Sequence, residues 1–210
     1  MREPAAARHS EPIPLGRHLI VERVRREPRI GPAIDRSLID RARNGDRDAF
    51  ELIVRARLDA VYRLLFAILA SEADARDAAQ ETFVAAWRQI AGLRDPARFE
   101  PWLQRIAVNA ARQSIRASRR RRVREIPSST VVGSAERAAS ASEGDDVAVL
   151  DAALAALPVE QRSILVLHHL EGRPLVELAA ILEVPIGTAK SRLFAARRAL
   201  GIAIAAESDR

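Results

Sequence analysis

Hydrophobic positions along the chain recur at helical spacing, and no stretch alternates as a strand does. After Asn44-Gly45 breaks the chain, Phe50, Val54, Leu58, Val61, Leu65 and Ile68 fall three or four residues apart, which predicts a helix with one apolar stripe. Asp35 and Asp46 each stand where a side-chain oxygen caps the exposed N–H groups of a first turn. Ser71-Glu72-Ala73-Asp74 has the form of a capping box with aspartate in place of Glu or Gln, and the helix it opens sets Ala79, Phe83, Trp87 and Ile90 on one face. Asp95-Pro96 marks a further start, with proline at the first helical position, where its missing N–H has no partner to lose. Phe99, Trp102, Leu103 and Ile106 follow, and the segment runs into arginines before Pro127. Residues 34–126 therefore form a first, all-helical domain.

Residues 127–146 are rich in Ser, Ala, Gly and acid and have little to bury, the composition of a flexible linker. A second helical domain covers 147–206. Leu150, Leu154 and Leu157 form a short stripe stopped by Pro158, and Ile164, Leu165, Leu167 and Leu170 form another ended by Gly172. Residues 174–182, a break at Glu183-Val184-Pro185 and a basic helix from about Gly187 to Ala205 complete it. Residues 1–33, with four prolines before Gly31-Pro32 and weak periodicity, read as an extension that is disordered when alone. The expected fold class is all-α, with two small helical domains joined by a flexible linker and no internal repeat between them.

Composition narrows the function classes. A chain of 210 residues with 48% hydrophobic side chains can build one or two small cores, which excludes a wholly disordered protein. The longest apolar run, Leu64–Ala70, is far short of the roughly 20 residues of a membrane span, so no membrane insertion is expected. Glu3, Pro4 and Glu11 do not fit a secretory signal. The absence of cysteine removes disulfides, thiolate nucleophiles and cysteine-ligated zinc, and the expected setting is cytoplasmic. Net charge is +6, and its distribution says more than its total. Residues 98–124 carry nine basic side chains against one acidic, 125–146 one against five, and 147–210 balance. Concentration of charge in one stretch points to a polyanion partner, the alternative being a solvated helix end. Lys190 is the one lysine, a bias toward arginine that genome base composition also explains. His168 and His169 point to different helix faces with no third ligand near, so no metal or cofactor is expected. No Ser/His/Asp set, glycine-rich phosphate loop or paired carboxylates has catalytic spacing, and the chain is not expected to be an enzyme.

Two short helices separated by three or four residues, the second basic, form a helix-turn-helix over about 174–194. One helix braces on the DNA backbone while the other enters the major groove. Ala179 has the small side chain that a close crossing needs, and from Gly187 to Arg198 there are four bases (Lys190, Arg192, Arg197, Arg198) and no acid. Thr188, Lys190, Ser191 and Arg192 lie on the early turns, within reach of base edges or phosphates. An ordinary helical hairpin with a basic exposed face is the plainer reading.

Two separate segments resemble the extracytoplasmic-function sigma factors of bacterial RNA polymerase. Asp77-Ala78-Ala79-Gln80-Glu81-Thr82-Phe83-Val84-Ala85-Ala86-Trp87 is similar to the segment of sigma region 2 that docks on the polymerase. Leu157-Pro158, Gln161-Arg162, Glu177-Leu178-Ala179 and Val184-Pro185-Ile186-Gly187-Thr188-Ala189-Lys190-Ser191-Arg192-Leu193 are similar to region 4, and Trp102-Leu103, Ile106-Ala107 and Asn109 fit the segment between. The resemblance covers about 35–124 and 147–203, in the family's order.

The resemblance implies a sigma factor that binds core RNA polymerase, recognises promoter DNA at the −10 and −35 elements and promotes melting. Asp77, Gln80, Glu81, Phe83 and Trp87 would meet the clamp helices of the largest polymerase subunit, and region 4 the flap of the second-largest. The acids of 71–81, four against Arg76, suit a basic partner helix, with Phe83 and Trp87 packing behind or serving simply as core. Arg94, Asp95 and Arg98 match the loop that captures a flipped −10 base, for which Phe99 or Trp102 would offer a stacking face unless Trp102 is buried. Asn109, Arg112, Gln113 and Arg116 would face the −10 duplex. Arg119, Arg120 and the arginines after them would hold phosphates, adding salt-dependent affinity but little sequence choice. Thr188, Lys190, Ser191, Arg192, Arg197 and Arg198 would read the −35 element. An anti-sigma factor that clamps both domains is the further partner implied.

Departures from the family fall on Ala78 and Ala79, where larger apolar residues are usual, and on Ala189 and Ala195 of the reading helix. Glu183 takes the turn position usually held by glycine, at a cost on the order of 1 kcal/mol if its φ is positive. Two other classes compete with a sigma factor. A stand-alone helix-turn-helix regulator would bind an operator as a dimer without joining polymerase. A protein-interaction adaptor would use the basic faces on acidic proteins, and competition by promoter DNA would separate it.

Overall fold

Carboxylate and hydroxyl caps start the first three helices where the sequence places them. A computed structural model describes residues 34–124 and 145–208. Asp35 accepts the Ser37 N–H at 3.1 Å and opens α1 (Arg36–Arg43). Asp46 accepts the Ala49 N–H at 3.0 Å and opens α2 (Arg47–Leu69). The Ala49 N–H and then Arg41 hold the Asp46 carboxyl below its ordinary pKa. Ser71 accepts the Asp74 N–H at 3.3 Å and opens α3 (Glu72–Gln89).

The entry to the fourth helix differs from expectation. Asp95 and Pro96 start a single 3-10 turn, Pro96–Arg98, after a first one at Ile90–Gly92, and the α-helix α4 begins only at Phe99 and runs to Arg124. The α2 stripe also rotates from its predicted line. Phe50, Val61, Leu65 and Ile68 are buried together with Ile53 and Leu64, whereas Val54 is half-buried and Leu58 exposed. The place beside Leu58 on the buried side belongs to Arg57, 1% exposed, whose Nε meets Glu100 Oε1 on the first turn of α4 at 2.6 Å. A buried guanidinium needs such a carboxylate, and the pair ties α2 to the start of α4.

The second half contains α5 (Asp145–Ala156), α6 (Val159–Leu165), a π-helical turn (Val166–Leu170), α7 (Leu175–Leu182) and α8 (Ile186–Ser208). Gly172, at φ 65°, turns the chain after the π segment, and Glu183, at φ 56°, ends α7 in the left-handed region that glycine occupies without penalty. In the first half α2 packs on α1, α3 and α4; in the second α8 packs on α5, α6 and α7. The halves touch as well, α7 lying on α4, and α6 with the π turn lying on α2. Their buried apolar side chains, from Ile39 to Leu200, form one continuous cluster. The all-α expectation holds: no strand occurs among the described residues, nor any helix long and apolar enough to cross a membrane. The extension 1–33 and nearly all of the linker assigned to 127–146 lie outside the described residues.

Candidate docking groove and nucleic-acid interface

On α3 the helical period separates three kinds of side chain. Ala75, Ala78, Ala79, Thr82 and Ala86 are buried toward α2 and α4, so the two alanines that depart from the family serve as a close-packed seam. Asp77, Gln80 and Glu81 are exposed on the opposite side. Between the two, Phe83 is buried and Trp87 half-buried, and together with Gln80 and Val84 they form one wall of a groove of about 900 Å³. Phe50, Val54, Leu58 and Tyr62 of α2 form the other wall, and the Phe50 and Trp87 rings meet at 5.0 Å. Exposure of Leu58 is thus explained: it faces the groove, not the core. All five residues expected to contact polymerase lie on this face or the groove beside it.

The loop after α3 holds Arg94, Asp95 and Arg98 exposed. Asp95 Oδ1 accepts the Ala97 N–H at 3.0 Å, so its carboxylate also fixes the turn. Phe99 is only 2% exposed, with its ring 5.7 Å from that of Trp102. The expectation that Phe99 offers a face to a flipped base is corrected here, because its ring is needed in the core where α4 begins. Trp102, half-buried, is the aromatic side chain with surface left. Further along α4, Arg105, Asn109, Arg112 and Arg116 follow at four, three and four residues and form one stripe. Arg112 Nη1 donates to Asn109 Oδ1 at 3.0 Å. Burial pushes the Arg112 guanidinium below its ordinary pKa; Glu160 and Glu183 oppose that shift, while Arg192 and Arg116 add to it. Gln113, Arg116 and Arg120 are exposed, and the side chains of Arg119 and of residues 121–124 lie outside the described residues.

In the second half Ala189, Leu193, Ala196 and Leu200 form the buried seam of α8, with Ala179 of α7 buried opposite. Small residues let the two helices cross closely, which accounts for alanine at 189. The remaining arc of α8 presents Lys190, Ser191, Arg192, Arg197 and Arg198 exposed, with Thr188 half-buried and Ala195 exposed among them. Ser191 Oγ donates to the Thr188 carbonyl at 3.0 Å, and Arg197 Nε donates to His169 Nε2 at 3.2 Å. His168 Nδ1 lies 3.0 Å from the Arg173 carbonyl.

Several residues of evident importance escaped the sequence reading. Phe194 is 70% exposed on the cationic arc. Its signal was available, since it falls outside the 189–193–196–200 seam. Arg162, buried, donates from Nη2 to the carbonyls of Ala155 at 2.6 Å and Leu157 at 2.9 Å, and from Nη1 to that of Ile68 at 2.8 Å. Burial lowers its pKa, and three helix-end carbonyls compensate the charge, as cations do at helix C-termini. Gln104 Nε2 reaches Glu171 Oε2 at 2.9 Å, and Arg105 Nη1 reaches Glu183 Oε1 at 3.4 Å. These contacts join positions 67 to 94 residues apart, and no local pattern announces them.

Comparison with known proteins accounts for this arrangement. Residues 53–121 match Sigma-70 region 2 and residues 148–200 match Sigma-70, region 4. The chain is 31% identical over 186 residues to the RNA polymerase sigma-H factor of Pseudomonas aeruginosa, covering 81% of this chain and 93% of that protein. To the ECF RNA polymerase sigma-E factor of Escherichia coli (strain K12) it is 32% identical over 180 residues, covering 79% and 92%. Among solved structures, CnrH in complex with the cytosolic domain of CnrY superposes with a TM-score of 0.59 at 28% identity, over 82% of this chain and 97% of that one. The sigma factor RpoE in complex with the anti-sigma factor NepR from Bartonella quintana shares the fold, with a TM-score of 0.58 at 23% identity over 74% and 96%. With both regions matched in order and full-length relatives above 30% identity, the chain belongs to the extracytoplasmic-function group of the sigma-70 family, RNA polymerase sigma factors that bind the polymerase and initiate transcription.

Proposed function

We propose that this sigma factor divides its contacts between two domains, region 2 over 34–126 and region 4 over 147–206. Asp77, Gln80 and Glu81 with the groove floored by Phe83 and Trp87 form the seat for the clamp helices of the largest polymerase subunit. Arg94, Asp95, Arg98 and Trp102 handle the −10 bases, and Asn109, Arg112, Gln113, Arg116, Arg119 and Arg120 track the flanking duplex. Thr188, Lys190, Ser191, Arg192, Arg197 and Arg198 read the −35 element, and the second-largest subunit's flap meets region 4. The observation that carries this reading is a pair of long arginine-bearing helices, α4 and α8, in separate halves, each with cations on a side its own half does not bury. The chain supplies recognition and contributes no catalytic group, so nucleotide chemistry belongs to the polymerase it joins in the cytoplasm. An anti-sigma factor is its second protein partner, by likeness to the relative solved with NepR.

Run-off transcription with purified core polymerase on a genomic fragment library tests the reading. New 5′ ends that share paired upstream elements are expected. The docking seat is tested by reversing charge at Asp77 and Glu81 together. Affinity of the full chain for core is expected to fall roughly tenfold, since charge complementarity sets encounter and register, while binding of duplex DNA by region 4 is unchanged. Unaltered affinity for core would remove the seat from α3.

A further inference from the structure

The exposed face of α8 is not uniformly cationic. Its buried seam of Ala189, Leu193, Ala196 and Leu200 fixes the orientation of the helix. At about 100° per residue, the line half a turn from that seam runs through Gly187, Ser191, Phe194, Ala195 and Arg198, all of them exposed. Lys190 and Arg197 fall along one side of this line, and Arg192 falls along the other with Thr188. The cations therefore flank a centre in which Phe194, 70% exposed, is the largest apolar side chain and Ala195 its neighbour. A ring in that place serves neither the core nor a phosphate contact.

In a helix laid along the major groove, flanking cations face the phosphates on either side and the centre line faces base edges. Long polar side chains on that line read hydrogen-bonding groups, arginine or lysine on guanine and asparagine or glutamine on adenine. Here only Ser191 and Arg198 are of a kind to do so, and Ser191 Oγ already donates to the Thr188 carbonyl at 3.0 Å. Between them stand a phenyl ring and a methyl. The one apolar group that a base pair presents in the major groove is the 5-methyl of thymine. We propose that Phe194 and Ala195 form an apolar patch that selects a thymine methyl in the −35 element, with Lys190, Arg192 and Arg197 holding phosphates on its flanks. Alanine at 195 keeps the patch open, because a long basic or polar side chain there reaches the same base edges and reads hydrogen-bonding groups instead. The proposal rests on the reading of α8 as the helix that meets the −35 element.

The test measures equilibrium binding of promoter duplexes, recovered in the run-off experiment, by the full chain in holoenzyme with purified core polymerase. Each thymine of the −35 element is replaced in turn by deoxyuridine, which removes the methyl and keeps every hydrogen-bonding group. At one position or more, affinity is expected to fall about fourfold, the effect of one buried methyl. Phe194→Ala, which lies outside the buried seam, is expected to weaken the thymine duplex and to bind thymine and uracil duplexes alike. Arg192→Ala is expected to weaken both duplexes equally and so to keep the discrimination. Ala195→Arg is expected to move the preference at an adjacent position toward guanine, read by selection from a library randomised over the −35 element. Discrimination retained in Phe194→Ala, or no methyl effect in the wild type at any −35 thymine, overturns the patch; if base changes in that element still alter binding, α8 keeps its place there. An element with no thymine on either strand overturns the patch as well. Indifference to base changes in the element and to Arg192→Ala overturns the reading of α8 itself. Weaker binding of Phe194→Ala to core polymerase without DNA puts the ring on protein and overturns the patch.

Discussion

The two arginine-bearing helices, α4 in region 2 and α8 in region 4, have similar lengths, 26 and 23 residues, and differ in how much of their described surface is covered. α4 buries Phe99, Leu103, Ile106, Ala107, Val108 and Ala111 and lies under α7 as well, so that Arg112 is half-buried. α8 buries a narrow seam of Ala189, Leu193, Ala196 and Leu200, with Ala199, Ala203 and Ile204 half-buried beside it, and leaves its cationic arc exposed. Counted by sequence, α4 belongs to the strongly basic stretch and α8 to a half with no net charge. Among the described side chains, α8 exposes four cations, Lys190, Arg192, Arg197 and Arg198, and α4 exposes two, Arg116 and Arg120. Local charge reports the capacity of a helix for a polyanion; packing decides when that capacity is exposed.

The comparison breaks most severely if α4 loses its anchor. Glu100→Ala strands the Arg57 guanidinium, 1% exposed, without its carboxylate. Denaturant unfolding is expected to show a loss of about 2 to 3 kcal/mol, with Arg57→Met/Glu100→Ala recovering part of it. A sharper separation of the helices comes from salt titrations of free chain on duplex DNA. Arg192→Ala is expected to reduce the slope of log K against log salt by about 1, whereas Arg112→Ala, half-buried and bonded to Asn109, is expected to change it by less. The smallest effect belongs to the turn between α7 and α8. Glu183→Gly removes a left-handed glutamate at φ 56° but also a weak rim pair, and the expected net gain is about 0.5 kcal/mol, read as a small rise in thermal midpoint.

Features fixed by neighbours in the chain were legible. Asp35, Asp46 and Ser71 cap the helices they precede, and Glu183 takes a positive φ at the turn where glycine is usual. Features fixed by distant partners were not. Periodicity put Leu58 on the α2 core stripe because it cannot register that Arg57 and Glu100 take the buried side together. Phe99 read as an available ring because its burial depends on how α4 enters the bundle, which a 3-10 turn at Pro96–Arg98 determines. Arg162, Gln104 and Glu171 looked like ordinary polar positions on helices, and only the approach of the two halves gives them partners.

Arg162 gives the molecule an asymmetric fastening. Two of its three carbonyl partners, those of Ala155 and Leu157, travel with it in region 4, and one, that of Ile68, belongs to region 2. Of the bonds between the halves, Arg162 therefore contributes one, while its charge stays compensated at the end of α5. A buried arginine divided the other way would depend on region 2 for most of its charge compensation. With this division the charge of Arg162 is compensated chiefly from within region 4.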